Sequence, residues 1–285
     1  VPFVSYAAYK DARDSAWQRN PFSKASLTTV AGRLYSSWRT AGDPAQGGLP
    51  GATAIAYTSA TAGALQDLNG NQMRDSTGVA RIVKLAVQFA TTPGAGMVQV
   101  CDRISGISSL SGLTTGVITT NTVAPSRYAA GAESRGILAA VEIYTALGAT
   151  AGTVNLNSYT DSEGTTAQAG PAGGVVIGGT GFTEVGRLIL LPLAANTTTA
   201  RGVRSVESIN RVTAMASAGD YGVTVFKPLV TIPVHSLGPA NTEEEGEGMG
   251  YIFPKVVAGA CLFFTIMTTA TSTGIMHGEV TQGEE

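Results

Sequence analysis

Asp67, Asn69, Asn71, Met73 and Asp75 stand at alternate positions of the run DLNGNQMRD, and there the chain comes nearest to metal chemistry. They occupy positions one, three, five, seven and nine of a calcium loop, with Met73 offering its backbone carbonyl. The match then fails at the two positions that shape such a loop. Gln72 stands where a Gly is needed for the sharp turn, and Gly78 where a bidentate Glu should close the coordination shell. A calcium loop and a polar turn both remain open, and the two misses favour the turn. No metal is expected.

The run GGTGFTEVG, residues 178–186, superficially suggests a phosphate-binding turn. A dinucleotide fingerprint needs its third Gly to lead into a helix, so that the helix N-terminus meets the pyrophosphate. Here that Gly comes too late, and the RLILLPL that follows reads as strand, so a tight turn between strands is expected and no cofactor. Nucleophilic catalysis needs a base beside the nucleophile, and His235 and His277 are the only histidines. Neither lies in a G-x-S-x-G elbow or an H-E-x-x-H pair. Carboxylates brought together by folding stay open in principle, but no catalytic residue is assigned and the chain is not expected to be an enzyme. Cys101 and Cys261 lack paired zinc-ligand spacing, and buried free thiols are preferred over a disulfide.

The elements that would carry any site are strands. In 136–159, Ile137, Ala139, Val141 and Ile143 alternate with Leu138, Ala140, Glu142 and Tyr144. A period of two is what a strand with two different faces requires. The apolar set should face a core, and Glu142 and Tyr144 should look toward solvent or a neighbour. A small Gly-bearing segment then leads to a second alternating run, 153–159, and the pair reads as a hairpin. Runs at 81–91 and 97–104 read as another hairpin, and 256–269 with 274–281 as a last one. Strand candidates also lie at 175–177, 184–193, 203–215, 221–226 and 230–234. Many short strands with Gly-marked turns indicate a sandwich or barrel.

Before residue 81 the character differs. A short helix is expected near the start, where Ala8, Ala12 and Ala16 recur. Leu27, Val30, Ala31, Leu34 and Trp38 form one apolar stripe at helical spacing, with Ser26 as cap and Gly42 and Pro44 as stop. The segment 43–80 is rich in Gly, Pro, Ala and Thr and suits an extended arm. The acidic run around Glu243, Glu244, Glu245 and Glu247 suits a solvated loop. The expected organisation is an arm with one or two short helices over 1–80 and an all-β, jelly-roll-like antiparallel sandwich over 81–285. Deleting 1–80 should then leave the sandwich folded.

Composition narrows the partners. Charged residues make up 13% of the chain, against about 25% in ordinary soluble domains. The formal net charge of -2, with no basic patch, argues against nucleic acid. No apolar run reaches the length of a membrane-spanning helix, and VPFVSYAAYK lacks the apolar core of a signal peptide, so synthesis in the cytoplasm and no membrane partner are expected. A surface this poor in charge suits burial against partners, whose interface cores are depleted in charge and enriched in aromatics.

The phrases SLTTVAGRLYSSWRTAGDPAQGG, VEIYTALGATAGTV, AGDYGVTVFKPL and ACLFFTIMTTATSTG resemble a family of structural proteins in the virions of tailed bacteriophages. The resemblance implies a non-enzymatic particle protein: a head decoration or cement protein, or a neck or tail component. It also implies localisation in the virion, a homo-oligomer such as a trimer or ring, and contacts with the capsid protein and other virion proteins. Tyr6, Tyr9, Trp17, Leu27, Leu34, Tyr35 and Trp38 are the expected interface side chains, with packing onto their own domain as the other reading. A major capsid shell protein, a carbohydrate-binding fibre module and an envelope hydrolase are the rival classes.

Overall fold

The computed structural model describes residues 18–66, 80–90, 96–177, 179–194, 201–234, 243–245 and 254–284. Tyr6, Tyr9, Trp17, the 67–78 run and His235 lie outside them. Strands dominate. The first are β1 (Gln18–Lys24), β2 (Leu34–Ser36), β3 (Gly42–Asp43) and β4 (Ile55–Ala56). Next come β5 (Ala80–Phe89) and the 15-residue β6 (Gly96–Leu110). They are followed by β7 (Gly116–Thr119), β8 (Leu138–Thr145), β9 (Gly152–Asp161), β10 (Val175–Ile177), β11 (Arg187–Leu190) and β12 (Val203–Arg211). A second 15-residue strand, β13 (Asp220–Val234), precedes β14 (Glu243–Glu245), β15 (Lys255–Val256), β16 (Leu262–Thr268) and β17 (Met276–Glu284).

Two compact units form. Unit 1 takes Val1–Gly48, Thr58–Asp102 and Leu229–Glu285, and unit 2 takes Leu49–Tyr57 and Arg103–Pro228. In unit 1 one sheet runs β14-β5-β17-β1-β3, with β15 following β14 along β5. Its other sheet joins β2, β16 and β6, with β13 beside β6. Set aside the two-residue β3 and count along the chain β1, β2, β5, β6, β13, β14 with β15, β16 and β17. The sheets then read 6-3-8-1 and 2-7-4-5. Successive strands therefore go to opposite sheets, except the fourth and fifth, which pair, and the first and last strands are neighbours, which is a jelly roll.

Unit 2 repeats that order. Its sheets are β11-β8-β13-β6, with the two-residue β4 on β6, and β7-β12-β9-β10. Counted from β6 to β13 these again read 6-3-8-1 and 2-7-4-5. The strands β6 and β13 serve twice: β6 is fourth in unit 1 and first in unit 2, and β13 is eighth in unit 2 and fifth in unit 1. Apart from Leu49–Tyr57 with β4, the second jelly roll thus occupies the connection between the fourth and fifth strands of the first.

The core of unit 1 follows from the period of two. Val98 and Val100 on β6, Leu262, Phe264 and Ile266 on β16, and Ile232 and Val234 on β13 join one buried cluster with Phe22 of β1. The Phe22 and Phe264 rings sit 4.4 Å apart. On β5 the phase slips, since Ile82 and Leu85 are three apart yet both reach the cluster. The β5–β17 ladder explains it: Thr281 pairs with Lys84 and Gln282 with Ile82, so Val83 is an extra residue in a bulge.

The all-β sandwich stands as expected, but not its assigned arm. The stripe at residues 27–38 is not a helix. Gly32 adopts φ 72°, outside helical geometry, and the chain turns there before entering β2. The β-branched Thr28, Thr29 and Val30 add nothing to helix propensity, so tertiary pairing prevails. The described part of 1–80 is built into both units, with β1 held between β17 and β3. Deleting it would remove the first two strands of a jelly roll. Part of the acidic run is also strand, Glu243 to Glu245 pairing with Val87 to Leu85.

None of the three expected hairpins forms. The strands exist, but β8 and β9, β5 and β6, and β16 and β17 each divide between two sheets. Alternation identifies a strand without naming its partner, and a short connection can arch between sheets as well as turn back within one. Conversely, 221–226 and 230–234 form one strand, β13, running through Pro228. Pro228 lacks the N–H a ladder uses, and it lies at the boundary where β13 leaves unit 2 for unit 1.

Candidate functional site

Two features of unit 2 hold chemistry of different kinds: a charged centre that is closed to water, and an uncharged sheet face that is open to it. The closed centre lies where β6, β8 and β13 run side by side. Arg103 on β6 donates from Nη2 to Glu142 Oε2 at 2.7 Å, and both side chains are fully buried. Tyr144 Oη and Thr224 Oγ1 donate to the same carboxylate oxygen at 3.0 and 2.5 Å. The guanidinium carbon lies 4.8 Å from the centroid of the Tyr57 ring. Arg127 ties down that segment, donating to the carbonyls of Tyr57 and Arg103 at 2.8 and 2.9 Å.

On β8 the expected apolar set of Ala139, Val141 and Ile143 is buried. Its other face differs from expectation. Glu142 and Tyr144 are also buried, at 0% and 8% exposure, because the chain around Tyr57 and Arg127 covers them. Alternation cannot reveal a second cover. Arg103 was the missed partner, and an Arg within an apolar β-rich run was its only signal.

The electrostatics follow from this closure. Burial opposes charge on Arg103, but Glu142 and the neighbouring Tyr57 and Tyr144 outweigh it and hold the guanidinium well above its ordinary range. Tyr144 is pushed well above its ordinary value, by burial first and by the Glu142 charge second. These groups keep their protons and exclude solvent. The arrangement ties β6, β8 and β13 together.

The expected interface residues fall into two groups. Tyr6, Tyr9 and Trp17 lie outside the described residues. Tyr35 and Trp38 are buried inside unit 1, at 0% and 1% exposure. Tyr35 Oη accepts from the Val30 N–H, and the Trp38 indole donates to the Gly48 carbonyl and meets Phe263 edge-on at 6.3 Å. Leu27 packs against the unit 1 core, and Leu34 is half-buried in β2. The apolar area of these four is covered at least in part by their own chain.

Other expected features are also located. Residues 179–186 turn into β11, with Gly186 donating to the Ile143 carbonyl. Cys101 and Cys261 are free and buried. His277 pairs across the ladder with Gln88 at 3.2 Å. Among the described residues no three His, Cys, Asp or Glu side chains are grouped to hold a metal ion, and no helix is long and apolar enough to cross a membrane.

The open feature is the outer face of the sheet β7-β12-β9-β10. Eleven large apolar side chains are exposed among the described residues, and all but Val30 and Ile275 belong to unit 2. The four most exposed are Val176 (74%), Val212 (63%), Val117 (61%) and Leu113 (56%). Ladder register places three of them on one face. Val117 pairs with Asn210, which pairs with Asn155. One row inward, Arg211 pairs with Val154, and both are buried. The row beyond holds Val212, whose N–H donates to the Thr153 carbonyl, and Thr153 pairs with Val176. Rows two apart share a face, so Val117, Val212 and Val176 point outward with Asn155, Asn210 and Thr153. Leu113 lies in the loop that enters β7. Arg211, the nearest charge along β12, is buried on the opposite face, and the next is Glu207, whose carboxylate accepts from the hydroxyls of Ser205, Thr160 and Ser158.

No protein-family model and no curated protein matches this chain. Among solved structures, it is similar to the subviral particle of VP2 from infectious bursal disease virus, at 9% identity, over 94% of this chain and 80% of that one. The TM-score is 0.19, too low for the likeness to carry any argument.

Proposed function

We propose that this chain is a structural protein of a virus particle, of the tailed-bacteriophage kind its phrases resemble, and that it works by assembling with its own copies and with other particle proteins. The observation that carries the reading is the jelly-roll strand order found twice in one chain. That architecture is recurrent in viral capsid domains, where it packs as a repeated unit while leaving few open sheet edges. Low charge and the concentration of exposed apolar side chains on unit 2 agree with extensive contacts between subunits.

Two jelly rolls in one subunit favour building of the shell itself, with decoration of a shell, or a place in the neck or tail, as the second reading. In either role the driving force is apolar area removed from water, about 25 cal/mol per Å² before the costs of association. Purified full-length protein should form discrete closed assemblies above a threshold concentration, visible by electron microscopy and by sedimentation. A chain that stays monomeric at every concentration, and does not bind preformed particles, would overturn the proposal.

A further inference from the structure

We infer that the outer face of β7-β12-β9-β10 is a contact between copies of this chain, two such faces meeting front to front. The inference rests on the assembly reading above and names the surface through which it acts. Three of the four most exposed large apolar side chains in the described residues share this one face, and the fourth, Leu113, lies in the loop at its edge. Scattered exposed valines need no explanation, but a registered set across four strands does.

The identity of the partner follows from charge and shape. The two outward rows contain Val, Thr and Asn and no ionised group. A charged partner would find no counter-charge there. A copy of the same face meets no like-charge repulsion, which is the condition a self-complementary contact must satisfy. The side chains are short or β-branched, so two such sheets can approach to the roughly 10 Å spacing of a sandwich.

The size of the patch sets its role. Four strands at ~4.8 Å spacing and about three residues of length at ~3.3 Å give on the order of 200 Å² per copy. A stable pair needs about 800 Å² from each partner. This face therefore holds only as one of several contacts repeated through an assembly, where a small change in each contact moves the assembly threshold steeply.

The experiment compares the full chain with Val117→Glu/Val212→Glu, Val117→Thr/Val212→Thr and, as a control on unit 1, Val30→Glu. Sedimentation over a concentration series reads the threshold for assembly, and circular dichroism checks the fold. The glutamate pair should raise the threshold about tenfold or more, since like charges then face each other across the contact. The threonine pair, which keeps strand propensity, should raise it less but measurably, and Val30→Glu should leave it unchanged. If both valine double variants assemble at the wild-type threshold, the inference is overturned while the proposed function stands. If wild type never assembles, the inference falls, and the proposed function falls with it only if the chain also fails to bind preformed particles. Wild-type binding on a glycan array that the glutamate pair abolishes, with assembly unaltered, would assign the face to a sugar and overturn the inference.

Discussion

Arg103 and Glu142 form a charge pair sealed from water, and the two charges depend on each other. Replacing Glu142 with Gln keeps the shape but leaves a buried guanidinium without its counter-charge. The expected loss is about 3 to 5 kcal/mol in denaturant unfolding. Replacing both partners, as Arg103→Met with Glu142→Leu, should recover most of that loss. If Glu142→Gln unfolds like the wild type, the pair does not lock the strands as argued. At Cys101 burial is the largest effect and pushes the thiol from its ordinary 9.0 up to about 12, with Asp102 adding to the rise and the Thr265 hydroxyl opposing it. The unfolded chain gives up this proton first. The thiol's contribution to stability is therefore complete below pH 9.0 and is lost as the pH climbs toward about 12. Cys101→Ala should flatten the stability profile over that window, and iodoacetamide at neutral pH should label Cys101 and Cys261 only after unfolding. At this scale the sequence was half legible: the buried thiols and the inward face of β8 could be read, whereas the partner of Glu142 lies 39 residues away, and no local period encodes such a distance.

Between elements, backbone proximity decides what is tolerated. Gly222 on β13 has no room for a side chain, since an added Cβ would lie 1.7 Å from the Ile107 carbonyl oxygen. Gly222→Ala must therefore push β13 away from β6 in unit 2. Its soluble yield and melting temperature should fall sharply, and a normally folded, equally stable variant would show that the two strands are not so close. Many strands after residue 80 were legible as alternating or apolar runs, whereas β1 to β4 and β14 fell in stretches read as helix, arm or solvated loop. Their pairing was not legible, since in a jelly roll most neighbours in sequence lie in opposite sheets, β9 and β10 being an exception, while most ladder partners come from far along the chain. Leu34 and Tyr35 illustrate the other failure. Helical spacing puts Leu34 on the apolar stripe and leaves Tyr35 off it, but the strand buries Tyr35 completely and pairs it with Ile266. Gly32 carried the warning, being the residue suited to the left-handed turn that ends any helix there.

At the scale of the whole molecule, connectivity is the main finding. The larger segment of unit 2, Arg103–Pro228, enters the chain of unit 1 between two strands that are already neighbours, and Gln99 on β6 donates to Thr231 on β13 at 2.9 Å just beyond the junction. Joining Asp102 to Leu229 through a short glycine turn, and omitting 103–228, should therefore leave a unit 1 that folds. Cooperative thermal unfolding of that shortened chain is the expected result, and a molten or insoluble product would show that unit 1 needs unit 2. The open face of β7-β12-β9-β10 was not legible beforehand, because Val176 and Val212 look like ordinary strand residues and Val117 lies in a Ser-, Thr- and Gly-rich stretch that reads as loop, until the register turns all three outward. Sequence composition pointed to covered surface but placed it on the aromatic residues near the start of the chain.

The sharing of β6 and β13 also bears on how such a chain is assembled from parts. A jelly roll begins and ends on adjacent strands, so both ends of unit 2 leave it side by side, and the gap in its host is of the same width. An insertion of this kind asks for no new linker and leaves the host ladder in phase. The site between Asp102 and Leu229 is thus a socket: another sandwich whose terminal strands are neighbours could be grafted there, changing what the subunit presents while the host fold is inherited intact.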